Sequence, residues 1–291
     1  MPAKTINNYL SLVKFSHTIF ALPFAIIGYF LAITYTGKAF DLKLFGLVLL
    51  CMVFVRSAAM AFNRYIDREI DTENERTSIR EIPAGIVKPT AALIFVFVNC
   101  VLFVTTTFFI NELCFYLSPV ALIIVLGYSL TKRFTALCHL ILGVGLSLAP
   151  IGSYLAVTGE FALLPLLFSF AVLFWVSGFD IIYALQDEEF DRSKELHSIP
   201  VWLGKKGALT LSIVLHVLSA LFVIYAGIYA GFNTWYWIGA CVFCGLLIYQ
   251  HLLVKPNDLS KVNLAFFTMN GVASVIFAVF VLLDLYINSN M

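Results

Sequence analysis

Apolar residues fall into nine long blocks along the chain, at about 15–36, 42–63, 90–110, 113–131, 136–157, 161–184, 207–230, 234–253 and 264–287. A helix needs about 20 apolar residues to cross the hydrocarbon core of a bilayer, and these blocks meet that length. Some joins are very short: only Asn111 and Glu112 separate the third block from the fourth, so those two helices run antiparallel. Open sheet edges are not tolerated in lipid, whereas a helix satisfies its own backbone. The pattern therefore predicts an all-α membrane protein, a bundle of nine transmembrane helices forming one domain over 1–291. The first block is longer than a signal-peptide core and lacks a small-residue cleavage site, so it reads as a retained span.

Composition agrees with this picture. Of the 291 residues 61% are hydrophobic and 12% charged, against roughly 25% charged in soluble domains. A net charge of +1 offers no bulk field for a nucleic acid. The six cysteines are scattered. Cys241 and Cys244 form a C-x-x-C inside an apolar block with no second pair, which fits small core residues rather than a zinc site or a disulfide framework.

The charges are sharply sorted. Fifteen of the eighteen basic residues lie in the N-terminal segment, which includes Lys4 and Lys14, or in the loops after the second, fourth, sixth and eighth blocks. Lys38 and Lys43 alone lie on the other side. The positive-inside rule then puts the N-terminus and those loops in the cytoplasm and the C-terminus outside. Twelve of the seventeen carboxylates crowd into two segments on the same face, around Asp67–Glu81 and Asp180–Glu195. Glu112 and Asp284, at outer span ends, are expected to be solvated, and His17, His139 and His216 to be packing residues.

Asn63, Asp67 and Asp71 recur every fourth residue, which on a helix stacks them along one face. Asp187 and Asp191 repeat that spacing, with Asp180 and Tyr183 one to two turns before. Stacked carboxylates repel, and a hard divalent cation relieves the repulsion. Oxygen-only sets suit Mg²⁺, which binds through one or two carboxylates plus substrate phosphates. Arg68, Arg76, Arg80 and Lys194 lie beside the clusters and could contact diphosphate oxygens. The plainer alternative is two solvated loops, each paired within itself. The run Asp67-Arg-Glu-Ile-Asp71 matches Asp187-Glu-Glu-Phe-Asp191 as D-x-E-apolar-D, and each is followed by Ile-Pro. A parallel duplication of a four-helix unit would explain the match. Arg56 lies two turns deeper than Asn63 on nearly the same face, and an intramembrane arginine is a functional candidate.

These residues carry a resemblance. Asn63-Arg-Tyr-Ile-Asp67-Arg-Glu-Ile-Asp71 is similar to the first motif, N-x-x-x-D-x-x-x-D, of the UbiA-type intramembrane prenyltransferases. Arg76-Thr77, Arg80, Pro83 and Gly85 resemble the stretch that follows it. Asp180-Ile-Ile-Tyr183-Ala-Leu-Gln-Asp187-Glu-Glu-Phe-Asp191 resembles the second motif. Leu126-Gly127-Tyr128, Lys132-Arg133 and Thr135 resemble a segment of the 4-hydroxybenzoate branch. The chain departs from that branch at Ser129, near the usual proline, at Cys138-His139, where Pro-Gln is usual, and at Lys14-Phe-Ser-His17.

The resemblance implies a helical bundle with a central cavity open to the cytoplasmic side of an inner or plasma membrane. It implies Mg²⁺-dependent transfer of a polyprenyl group from its diphosphate to an aromatic acceptor in ubiquinone or menaquinone biosynthesis. Asp67, Asp71, Asp187 and Asp191, with Asn63, would hold the metal. Arg133 would grip an acceptor carboxylate, with Arg56, Tyr128, Tyr183 and Lys14 beside it. Asp180 would orient Arg133 or take the ring proton. An aryl carboxylate such as 4-hydroxybenzoate is the expected acceptor; a naphthoate, haem or a glycerol phosphate lipid would use the same chemistry. A cation-coupled transporter is the competing class, but transporter carboxylates usually sit near mid-membrane. Here they lie at span ends beside arginines.

Overall fold

The computed structural model describes residues 8–288; Lys4 and the side chain of His17 lie outside the described residues. Every named element among the described residues is helical, and nine of the helices are long and apolar enough to cross a membrane. The long ones are α1 (Leu22–Thr36), α2 (Leu42–Ile66), α4 (Pro89–Phe108), α5 (Glu112–Thr131), α6 (Cys138–Thr158), α7 (Leu163–Ala184), α9 (Ile199–Ala230), α10 (Thr234–Leu253) and α11 (Asn270–Asn288). Two helices of six residues, α3 (Arg68–Glu73) and α8 (Glu188–Ser193), follow α2 and α7.

The boundaries follow local chemistry. Asp41 caps α2, its side chain accepting from the N–H groups of Lys43 and Leu44, and Asn111 caps α5 through the Cys114 N–H. The first apolar block is not one helix: a 3₁₀ segment, Phe15–Phe20, precedes α1. The seventh block starts earlier than its apolar pattern, at Ile199. Gly204, at φ 68° and ψ 170°, breaks α9 after its first turn, in a region where a side chain would be strained. In the ninth block a wide turn, Leu264–Met269, precedes α11. Asn270 steadies it by donating to the Ala265 and Phe266 carbonyls at 2.9 and 3.0 Å.

Helix α7 is the most buried span. It carries Phe168, Trp175, Ile181 and Ile182, all with no exposed surface, and it packs mainly against α6 and α9. The outer surface is apolar: Phe97, Ile123 and Tyr286 are each about 70% exposed, as lipid-facing side chains should be. Several polar groups inside are paired. The Trp175 indole donates to Asn270 at 2.7 Å, and His216 pairs with His251 at 2.7 Å and with the Trp175 carbonyl at 3.2 Å. Asp284, expected to be solvated, is buried and accepts from the backbone N–H groups of Asn233 and Tyr236 at 3.0 and 3.2 Å. It closes the start of α10, where unsatisfied amides and the helix dipole favour a carboxylate.

Small residues set the helix spacing. A Cβ on Gly28 of α1 would stand 2.1 Å from the Pro150 carbonyl oxygen of α6, and one on Gly143 of α6 would stand 2.3 Å from Ser177 Oγ and 2.5 Å from the Leu173 carbonyl oxygen of α7. Close backbone approach of this kind drives helix association in lipid. We expect Gly28→Ala, which meets main chain rather than a movable side chain, to lose about 1–3 kcal/mol, measured as a lower Tm for the purified protein in detergent.

Candidate active site

The two aspartate motifs fold alike. Helix α2 ends at Asp67 (φ −90°, ψ 4°) and α7 runs through a single 3₁₀ turn to Asp187 (φ −104°, ψ 3°). In both, a short helix then carries the second aspartate, Asp71 or Asp191. The expectation that Asn63, Asp67 and Asp71 share one continuous helical face is therefore corrected: the helix breaks at Asp67. The i, i+4 hydrogen bonds persist across the break, Asp67 N–H to Asn63 at 3.0 Å and Asp71 N–H to Asp67 at 2.7 Å, so the three side chains still address one cavity.

That cavity measures about 270 Å³ and is lined by all four motif aspartates and by Asn63 and Asp180. Each motif aspartate faces one cation. Arg133 Nη1 lies 3.0 Å from Asp67 Oδ1, and Arg80 Nη1 lies 2.6 Å from Asp71 Oδ1. Arg76 forks onto Asp187, with Nε donating to Oδ1 at 3.0 Å and Nη2 to Oδ2 at 2.5 Å. Lys132 Nζ lies 2.7 Å from Asp191 Oδ1. The remaining bonds fix orientation. Asn63 donates to Asp67 Oδ2 at 3.1 Å and Asn74 to Asp187 Oδ1 at 3.3 Å, while Arg76 also donates to the Tyr183 hydroxyl at 2.8 Å.

Burial raises the Asp67 carboxyl above its ordinary pKa, and the Arg133 charge pulls against it. Burial opposes the charge on Lys132, but the charge of Asp191 and its hydrogen bond outweigh that and raise the ammonium pKa. For Arg76, burial is likewise overcome by its hydrogen bond to Asp187.

Among the described residues no three His, Cys, Asp or Glu side chains converge as a ready metal cage. The donor set still fits Mg²⁺, because that ion takes only one or two carboxylates and completes its shell with water and phosphate oxygens. Asp71 Oδ2 and Asp191 Oδ2 are among the buried carboxylate oxygens with no hydrogen-bond partner, and an anionic oxygen left so is costly unless something positive reaches it.

A second cavity of about 350 Å³ is almost wholly apolar in its lining and shares Arg56, Met60, Tyr128, Leu142 and Leu146 with the first. Arg56 spans the junction; its Nε donates to Thr18 Oγ1 at 3.2 Å. Tyr183, Phe179 and Phe266 give the polar cavity aromatic faces, with Tyr183 stacked on Phe266 at 4.1 Å between ring centroids.

Some expected site residues stand elsewhere. Arg68 lies over the Tyr65 ring and pairs with the exposed Glu69 at 2.8 Å. Lys194 pairs with Glu73 at the surface. Lys14 adopts φ 44° in the turn before the 3₁₀ segment. None of the three lines the cavity. Asp180 does not orient Arg133, which is held by Asp67 and by the Ile66 and Ser129 carbonyls. Asp180 Oδ2 instead meets His139 Nδ1 at 2.7 Å. Sequence reasoning left His139 among packing residues. The one signal was that a histidine stood where the resembling branch has glutamine.

Asp71 is 4% exposed, so Arg80→Met should strand a buried charge and destabilise the protein by about 3 kcal/mol. Asp71→Asn in the same chain should recover most of that loss, read as paired Tm values in detergent.

The profile of the UbiA prenyltransferase family matches residues 21–272. A 4-hydroxybenzoate octaprenyltransferase of Coxiella burnetii is 29% identical over 225 residues, 77% of this chain and 78% of that protein. The solved apo structure of a UbiA homolog from Aeropyrum pernix superposes with a TM-score of 0.80 at 30% identity, covering 94% of this chain and 98% of that one. A UbiA homolog from Archaeoglobus fulgidus bound to DMAPP and Mg²⁺ shares the fold, with a TM-score of 0.71 at 22% identity over 96% and 99% of the two chains. Nine apolar helices, two matched aspartate motifs at helix breaks and a profile match over most of the length make one statement: this chain belongs to the UbiA prenyltransferase family, a family of multi-pass membrane enzymes.

Proposed function

We propose that the protein is one catalytic unit over 1–291 that transfers a polyprenyl group from its diphosphate to an aryl carboxylate of the 4-hydroxybenzoate type, in ubiquinone or menaquinone biosynthesis, with Mg²⁺ as cofactor. The observation that carries this reading is the junction of the two cavities. A cavity with four aspartate–cation pairs adjoins an almost wholly apolar one across five shared lining residues. An allylic diphosphate has those two halves, a charged head and a hydrocarbon tail. The C. burnetii relative's name supports the acceptor class.

Asp67, Asp71, Asp187 and Asp191, with Asn63, would hold the Mg²⁺. When bound, the ion would neutralise the diphosphate and so ease departure of the allylic carbon. Arg76 and Arg80 would grip the same phosphates once the aspartates turn to the metal, and an arginine fork suits them. Tyr183 and Phe266 would face the positive charge that grows on the prenyl carbon. The apolar walls would keep out water that could capture it.

Among the described residues the terminal nitrogens of Arg56 make no hydrogen bond, and Arg56 lines the cavity with Tyr128. It would anchor the acceptor carboxylate, with Arg133 nearby. The acceptor ring carbon would bond to prenyl C1 as the C1–O bond breaks, and Asp180 would take the ring proton. The basic loops put the aspartate end of the bundle and the N-terminus in the cytoplasm of a cell with this protein in its inner or plasma membrane.

Purified protein supplied with Mg²⁺, geranyl diphosphate and a panel of aryl acids should form a prenylated acid identified by mass. Asp67→Ala and Asp187→Ala should each cut that rate by ~100-fold or more. Retention of wild-type turnover in both variants would sink the mechanism. Arg56→Met should raise KM for the aryl acid and leave KM for the diphosphate unchanged. Orientation has its own test in a bacterial host: alkaline phosphatase fused after Asn111 should be active, and fused after Arg133 inactive.

A further inference from the structure

His139 is 4% exposed and belongs to none of the aspartate–cation pairs. Its two ring nitrogens have separate partners. The Ile199 backbone N–H, in the first turn of α9, donates to Nε2 at 3.4 Å. Nε2 therefore carries the lone pair and Nδ1 the proton. Nδ1 lies 2.7 Å from Asp180 Oδ2 and donates to it. The ring is thus held at both ends, by backbone on one side and by a carboxylate on the other.

Helix packing makes this contact. His139 lies one turn before Gly143 on α6, and Asp180 lies one turn after Ser177 on α7. At Gly143 the two backbones approach so closely that a Cβ would collide with Ser177 and the Leu173 carbonyl. The antiparallel register then carries His139 against Asp180. Asp180 differs from the other cavity aspartates in lacking an arginine or lysine partner. Its Oδ1 makes no hydrogen bond among the described residues, and the residue lines the cavity.

We propose that His139 is a positioning residue for proton removal: it fixes Asp180 by one oxygen so that the other receives the proton leaving the prenylated ring. The inference rests on the prenyl-transfer reading above. In that step the ring C–H bond breaks, its electron pair restores aromaticity, and the proton passes to Asp180 Oδ1. The proton stops there, because the His139 nitrogen away from Asp180 is occupied by a backbone amide. Arginine in place of histidine would hold Asp180 as well, but its charge would stabilise the carboxylate and weaken it as a base. A neutral imidazole N–H would orient the carboxylate without that fixed charge.

The test compares three variants in the whole protein, with a ring-deuterated aryl acid as probe. His139→Leu removes the donor, and His139→Asn keeps an N–H at the position of Nδ1, two bonds from Cβ, where it can reach Asp180. Asp180→Asn removes the base. With donor and acid saturating, His139→Leu should lower kcat about 10- to 100-fold, with KM for the prenyl diphosphate unchanged, and His139→Asn should recover most of the rate. Because proton loss becomes slower, the isotope effect on the deuterated acid should grow in His139→Leu, which a loss of packing alone would not produce. In an Asp180→Asn background, His139→Leu should cause no further fall. Should His139→Leu fail to fold, His139→Met, which fills the space without an N–H, replaces it. Wild-type isotope effects in His139→Leu, equal losses in the leucine and asparagine variants, or additive losses with Asp180→Asn would each overturn the proposal while leaving prenyl transfer intact. A wild-type protein inert toward every aryl acid would instead overturn the function it rests on.

Discussion

Charge balance inside a charge-poor protein governs this structure. Four buried or half-buried aspartates would repel one another and could not stay ionised in an apolar bundle. Each is held by one cation, and the cations come from different places: Arg76 and Arg80 from the segment after α3, Lys132 and Arg133 from the end of α5. The pairs therefore join two loops to the two aspartate motifs, Asp67 and Asp71 on one side and Asp187 and Asp191 on the other. Any divalent cation that enters must take over the carboxylates, which releases arginine forks at the place where phosphate oxygens would arrive. Metal and diphosphate are thus expected to bind cooperatively, since each resolves the charge the other leaves.

Much of this was legible in the sequence, and the reason is lipid. A bilayer demands long apolar runs, so the nine spans stood out, and the two carboxylate clusters stood out against them. Asp67, Asp71, Asp187 and Asp191 were recognisable by spacing alone. Boundaries were less so. The start of α9 lay hidden because Gly204 breaks the helix through a backbone torsion, which hydropathy does not report. The wide turn before α11 depends on Asn270, a single polar residue whose partners are local carbonyls.

Pairing was the least legible layer. Spacing placed Arg68 beside its aspartates, but a helix that stops at Asp67 turns Arg68 onto Tyr65 and away from the cavity. The contact of His139 with Asp180 depends on a Gly143 close approach forty residues away in sequence from one of its members, and no one-dimensional pattern encodes that. Asp284 misled for a similar reason. Near a span end it reads as solvated, yet it closes the start of a helix fifty residues earlier.

On the proposed function, the junction at Arg56 and Tyr128 would divide one reaction between two surroundings. On one side stand the aspartate–cation pairs; on the other, an almost wholly apolar lining. A prenyl transfer at the boundary turns one amphiphile into a free anion and a grease-tailed ring. Those products have opposite solubilities, so neither has reason to leave by the other's door. Partition, rather than affinity, would then clear the site after each turnover.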